Sequence, residues 1–243
     1  MDAASLVAEL RAVASPERKR SVARLGIPED RSIGVSVPEV RRIAKRAGRD
    51  DAVADALWAT GIHEARLLAA LVYDPRTFRL ERADGLVADV VSWDLCDHLC
   101  NGLFVRLPGY ASLIERWQAS EPLYTRRAAF SLMASAATHE REIPRGLLAR
   151  YLDWIESAAA DPRDHVRKAV AWALREIGQR DLVHRDLGIA LADRLIASGD
   201  RSRKWVGTQA RKELVELVRV EGRRRLVPAR SAAGRAAAAS TSG

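Results

Sequence analysis

The sequence predicts an all-α protein, a superhelical solenoid of divergent helical-hairpin repeats, and three observations predict it. Apolar residues recur at helical spacing from one end of the 243-residue chain to the other, with no strand–helix alternation and no glycine-rich phosphate loop. Ala, Leu, Arg and Glu are plentiful while strand-forming residues are scarce, which favours helices throughout. Short Pro/Gly/Asp stretches (GIPEDRSIGVSVP, YDPRT, RLPGY, SEP, EIPRG, DPRD, SGDRS) punctuate the pattern. A chain of this length has ample residues for a buried core.

Taken in order, the N-terminus MDAASLVAELRAVASPERKR begins acidic, and Glu9 and Arg11 break its short apolar stretch. It therefore lacks the character of a secretory signal, and no apolar run reaches the length that spans a bilayer. Among the later segments DPRDHVRKAVAWALREIGQR is the most informative. An Asp pair precedes a helix whose apolar stripe is Val166, Ala169, Val170, Ala173, Leu174 and Ile177. Asp-x-Val-Arg-x-Ala-x-x-x-x-Leu has the look of the second helix of a HEAT-like repeat, with weaker echoes in HEARLLAALV, TRRAAFSLMASAA and SRKWVGTQARKELV. With Arg66, Asp97, Arg127, Arg167 and Lys204 as markers, the steps are about 30 to 40 residues, the range of stacked helical hairpins. Stacking such units gives one continuous core and a long concave surface suited to a rod-like partner. The repeat body is expected over residues 1–220. Residues 221–243, low in complexity and without apolar periodicity, are expected to be a disordered basic tail and an electrostatic tether.

Charge points to the partner. Forty Lys and Arg against 32 Asp and Glu leave a net charge of +8, which suggests nucleic acid or an anionic membrane surface. The two cysteines, Cys96 and Cys100, lie four apart with no second ligand pair, so buried thiols in a reducing compartment are expected rather than a metal site. The five histidines (63, 98, 139, 165 and 184) show no metal-ligand spacing, and no Ser/His/Asp arrangement is identifiable.

Helical wheels separate a second class of residue from the core. In the 164–180 helix Trp172 points about 140° from the apolar stripe, among Lys168, Arg175 and Gln179. In YTRRAAFSLMASAA the core stripe is Ala129, Leu132, Met133 and Ala136, and Arg127 points about 150° away from it. In VVSWDLCDHL, Leu95, Leu99 and Leu103 define the stripe. Trp93 lies about 110° and Asp97 about 150° from its centre, four residues apart and so on one face. Asp94 and His98 read as outward residues without a role. Arg201, Arg203, Lys204 and Lys212 form a basic end near Trp205, suggestive of phosphate contact. Each residue also has a plainer reading: a tryptophan packing against the next repeat, an aspartate in a surface or inter-repeat ion pair, an arginine on a solvated face.

SWDLCDHL, TRRAAF and VRKAVAWALRE, with GVSVPEVRRIAKR upstream, together resemble the AlkD-type DNA alkylation repair enzymes, from about residue 30 to residue 215. The resemblance implies a HEAT-like-repeat DNA glycosylase that removes cationic N3- or N7-alkylated purines from double-stranded DNA, acting on the base while it stays stacked. It also implies that Trp93, Asp97, Arg127 and Trp172 line the site. Asp97 would stay ionised, stabilising an oxocarbenium-like sugar and orienting water, while Trp93 and Trp172 would flank the deoxyribose and Arg127 would hold a phosphate. Lys168, Arg175, Arg203 and Lys204 are the further DNA-binding candidates. No cofactor and no metal are required, because an alkylpurine leaves as a neutral base. A monomer with no obligate protein partner, located in the cytoplasm, is expected. The competing readings are a non-catalytic DNA-binding relative and a protein-binding helical scaffold.

Overall fold

The computed structural model describes residues 1–241, and among these there are 14 α-helices, two short 3-10 turns and one two-stranded ribbon. The fold is all-α, as the periodicity predicts. The chain divides into two compact units, Met1–Glu115 and a second that begins at Arg116. This division differs from the expected 1–220 body with a separate tail.

In the first unit α1 (Ala3–Ala12) and α2 (Pro16–Ala23) lead into an extended segment and then α3 (Val37–Ala47). After these come α4 (Asp51–Ala59), α5 (His63–Val72), α6 (Ala83–Ala88), α7 (Trp93–Gly102) and α8 (Ala111–Trp117), the last running across the unit boundary. Helices α4 and α5 form a hairpin, and α5 packs in turn against α3 and α7. Asp50 caps α4 by accepting from Ala52 N and Val53 N, and Ser36 caps α3 through Glu39 N.

A buried carboxylate fixes the extended segment before α3. Glu64, in the first turn of α5, is 2% exposed. Its Oε1 accepts from Ser32 Oγ at 2.6 Å, Gly34 N at 2.7 Å and Val35 N at 3.2 Å, and its Oε2 accepts from Ile33 N at 2.9 Å. An extended stretch with no strand partner thereby has its backbone donors satisfied. Gly34 is required there: its φ is +83°, and a Cβ would lie 2.2 Å from Ser15 O.

The second unit contains α9 (Leu123–His139), α10 (Arg145–Ala158), α11 (Asp164–Gly178), α12 (Leu182–Ala197) and α13 (Arg201–Leu214). Helix α11 packs along α9 on one side and α13 on the other, while α12 and α13 form a hairpin. Gly207 makes that hairpin possible, since a Cβ there would lie 2.5 Å from Ala192 O. The five marker residues of the repeat fall one each on α5, α7, α9, α11 and α13. Every stripe residue named for α7, α9 and α11, together with Leu103 just beyond α7, is fully buried, from Leu95 and Leu99 through Leu132 and Met133 to Val170 and Ile177.

The tail expectation is corrected by the structure. β1 (Leu217–Val218) pairs antiparallel with β2 (Val227–Pro228), and α14 (Ala232–Thr241) follows. Leu226 is 2% exposed and donates its N–H to Gln179 O at 2.8 Å. Arg224 donates to Thr138 O and His139 O, and Arg225 to Glu176. A single apolar anchor and arginines directed at helix-end carbonyls hold this segment, a pattern with no periodicity to read in advance. Residues 242–243 of the expected tail lie outside the described residues.

Candidate nucleic-acid interface and active site

Helix α7 presents Trp93 and Asp97 one turn apart, both half-buried and neither sealed in the core. Both line a cleft of about 230 Å³ whose other walls include Val22, Leu25, Ile27 and Leu67, with the exposed Arg18 of α2 at its edge. The indole is fixed: Trp93 Nε1 donates to Leu25 O at 2.9 Å, just beyond the end of α2. The ring is thus held by a hydrogen bond at its edge, which restrains its orientation for contact through its face.

Sequence reasoning passed over the group behind this pair. Asp94, read as an outward residue, is buried, with its Oδ2 2.9 Å from Nε2 of the equally buried His63. Burial pushes the Asp94 carboxyl up, but the hydrogen bond and charge of His63 outweigh it and hold the pKa below the ordinary aspartate value. His98, also read as outward, donates Nδ1–H to Asp94 O at 2.9 Å, and its Nε2 is buried without a hydrogen-bond partner. His63 precedes Glu64 at the start of α5, so one helix end supplies both the clasp on the extended segment and the partner of Asp94. The two residues are 31 positions apart, a separation no helical pattern connects.

In the second unit Trp172 is half-buried on α11 and donates Nε1–H to Glu176 Oε1 at 3.0 Å. The other oxygen of Glu176 accepts from Thr138 Oγ1 at 3.0 Å and Arg225 Nη2 at 2.5 Å. Arg225 Nη2 also reaches Gln179 Oε1 at 3.1 Å. A carboxylate shared by α9, α11 and the C-terminal segment therefore sets the indole. The wheel placed Trp172 among cations and gave no sign of Glu176, although the i,i+4 spacing of the two was available to find it.

Arg127 is corrected. It is 5% exposed rather than solvated, and its Nη1 donates to His165 O at 2.6 Å in the first turn of α11. Nearly the whole central stretch of α9, Arg127 through Ala137, is buried, so that helix has no solvent face there to receive the arginine. Lys168 is exposed, with Asp164 Oδ2 3.7 Å away; Arg175 is half-buried against Glu213 Oε2 at 3.2 Å. On α13 Lys204 is exposed and Arg203 half-buried. The Trp205 ring there carries the Arg167 guanidinium 4.7 Å from its centroid. Cys96 and Cys100 are buried thiols. Among the described residues no group of three or more His, Cys, Asp or Glu side chains is arranged to hold a metal ion, and no helix is long and apolar enough to cross a membrane.

Stacked helical hairpins carrying indoles, a carboxylate and exposed cations define the class of protein to which the comparisons lead. The family model of the DNA alkylation repair enzymes matches residues 6–208, so the chain belongs to that family. It is also similar to a solved structure described as "a new family of proteins related to the HEAT-like repeat DNA glycosylases with affinity for branched DNA structures". The two share 16% identity over 100% of this chain and 94% of the other, with a TM-score of 0.71. No curated protein matches the sequence.

Proposed function

We propose that the protein is a DNA glycosylase that releases cationic N3- or N7-alkylated purines from duplex DNA. The observation that carries this reading is the pairing of Trp93 and Asp97 on one turn of α7, both half-buried in the wall of one cleft. An alkylpurine nucleotide is cationic, so breaking its N-glycosidic bond releases a neutral base and leaves positive charge on the deoxyribose. Water adds to that carbon and its proton goes to solvent. The Asp97 carboxylate stabilises the developing charge and orients the water, and the Trp93 face contributes about 0.5–2 kcal/mol of cation–π attraction, depending on desolvation. In the second unit Trp172, half-buried and held by Glu176, is a further indole available to DNA. Lys168 and Lys204, both exposed, bind backbone phosphates. Arg127 acts through α11: its bond to His165 O positions the helix that carries Trp172.

A second reading is a DNA binder without excision, favoured by the branched-DNA affinity attributed to the similar structure. One experiment separates the two. Methylated duplex DNA is incubated with wild type and Asp97→Asn, and released bases are measured by mass spectrometry. We expect 3-methyladenine or 7-methylguanine from wild type and a loss of at least about 100-fold for the variant, the scale of removing one preorganised charge-stabilising group. Equal rates would remove Asp97 from the chemistry. Absence of release, with tight salt-sensitive binding to a four-way junction, would establish the binder.

A further inference from the structure

We infer that the C-terminal segment completes a second anion site in the second unit, one that takes a backbone phosphodiester of bound DNA. A cavity of about 200 Å³ is lined by Arg141, Arg180, Arg219, Arg224 and Arg225, with Glu140 and Asp181 as the acidic residues. Five guanidinium groups against two lining carboxylates leave three positive charges in excess around one small space, two once Arg225 is paired with Glu176.

Structural duties account for only some of these cations. Arg180 Nη1 donates to Ala137 O at 2.9 Å and Glu140 O at 3.0 Å, its Nη2 to Arg141 O at 3.0 Å, and Arg224 donates to Thr138 O and His139 O. These bonds satisfy the carbonyls at and just beyond the end of α9. Carbonyls satisfy donors without cancelling charge, so Arg224 keeps its positive charge beside the cavity. Arg225 is balanced by Glu176 through Nη2, yet its Nε is buried without a hydrogen-bond partner. Arg219 is exposed and makes a single bond, to Arg224 O at 3.4 Å. The Arg141 side chain is exposed and forms no ion pair among the described residues. The Asp181 carboxylate is engaged elsewhere, by His184 N and His184 Nδ1 at the start of α12. Capping α9 does not require Arg141 or Arg219, whereas an oxyanion in the cavity gives both of them, and the idle Nε of Arg225, an acceptor.

A phosphodiester is the oxyanion favoured because the cavity adjoins the Trp172 assembly. Arg225 lines the cavity and also holds Glu176, which holds the Trp172 indole. A strand in contact with Trp172 would carry its neighbouring phosphate past these arginines. The site rests on the reading of the chain as a duplex-DNA binder, and two measurements keep the ideas separable.

The first compares duplex affinity against salt concentration for wild type and an Arg141→Ala/Arg219→Ala double variant. Both residues are exposed, and the double variant gives up one long bond, Arg219 to Arg224 O at 3.4 Å within the same loop, so the fold is expected to be retained, as a circular-dichroism spectrum matching wild type would check. Loss of that one phosphate contact lowers the logarithmic salt slope by about 1. The second titrates arginine Nε–Hε NMR resonances of wild type with the dinucleotide dTpdT and, separately, with inorganic phosphate. Shifts of Arg141, Arg219 and Arg225 by dTpdT, with the reduced slope, support the site. An unchanged slope overturns it, as does a response to inorganic phosphate without one to dTpdT. If wild type has no duplex affinity while dTpdT still shifts these resonances, the site stands and the proposed function falls. With neither affinity nor shift, both fall.

Discussion

Removing the Glu64 carboxylate tests the idea that one side chain holds the cleft wall in place of secondary structure. Glu64→Ala deletes the acceptor for four donors: Ser32 Oγ and the backbone N–H groups of Ile33, Gly34 and Val35. The hydroxyl can rotate to another partner and Gly34 N keeps a 3.2 Å bond to Ser32 Oγ, but the amides of Ile33 and Val35 lose their acceptor. Leaving two such donors unsatisfied costs about 1–3 kcal/mol each, and water entering the vacated space returns part of it, so the expected destabilisation is about 2–4 kcal/mol. Glu64→Gln is the graded control. With its carbonyl at the Oε1 position it still serves Ser32, Gly34 and Val35, and only Ile33 N–H meets an opposing amide donor, for about 1–2 kcal/mol. Because the chain comprises two compact units, local measurement is preferable to a single melting curve. Native-state hydrogen exchange at Ile33, Gly34 and Val35 should lose protection in the order wild type, Gln, Ala. Val35 and Val37 line the same cleft as Trp93 and Asp97, so activity should fall in the same order. An Ala variant within about 1 kcal/mol of wild type, or an Ala and Gln pair that cannot be told apart, would refute the reasoning.

Two further outcomes follow from other parts of the molecule. Arg225→Ala leaves Glu176 without its ionic partner and should shift the Trp172 indole N–H resonance, assigned by its disappearance in Trp172→Phe; an unmoved resonance would mean Thr138 alone suffices to hold Glu176. Asp161, 7% exposed, has its carboxyl pushed up by burial, but the hydrogen bonds and charge of Arg163, with the charge of Arg126, hold its pKa below the ordinary 3.8. A depressed folded pKa contributes stability that is present above 3.8 and lost as pH falls through the folded value. Urea midpoints should therefore decline on acidification toward and below pH 3.8, less steeply in Asp161→Asn, and identical profiles would exclude Asp161 as a source of acid sensitivity.

The sequence by itself determined the class of fold and the composition of the α7 pair. Leu95, Leu99 and Leu103, or Val166, Val170 and Ile177, name their own buried face, because helical geometry converts spacing into direction without reference to any partner. The same geometry put Trp93 and Asp97 side by side. Tertiary structure decided the remainder. Arg127 is buried because α9 is enclosed around most of its circumference, whereas a wheel supposes one buried side and one wet side. Asp94 meets His63, and Glu176 meets Thr138 and Arg225, through side chains on different elements, and local spacing carries no information about such meetings. Residues 217–235 fold for the same reason. Their anchors, Gln179 O and the carbonyls ending α9, belong to distant parts of the chain and become acceptors only once those helices stop there.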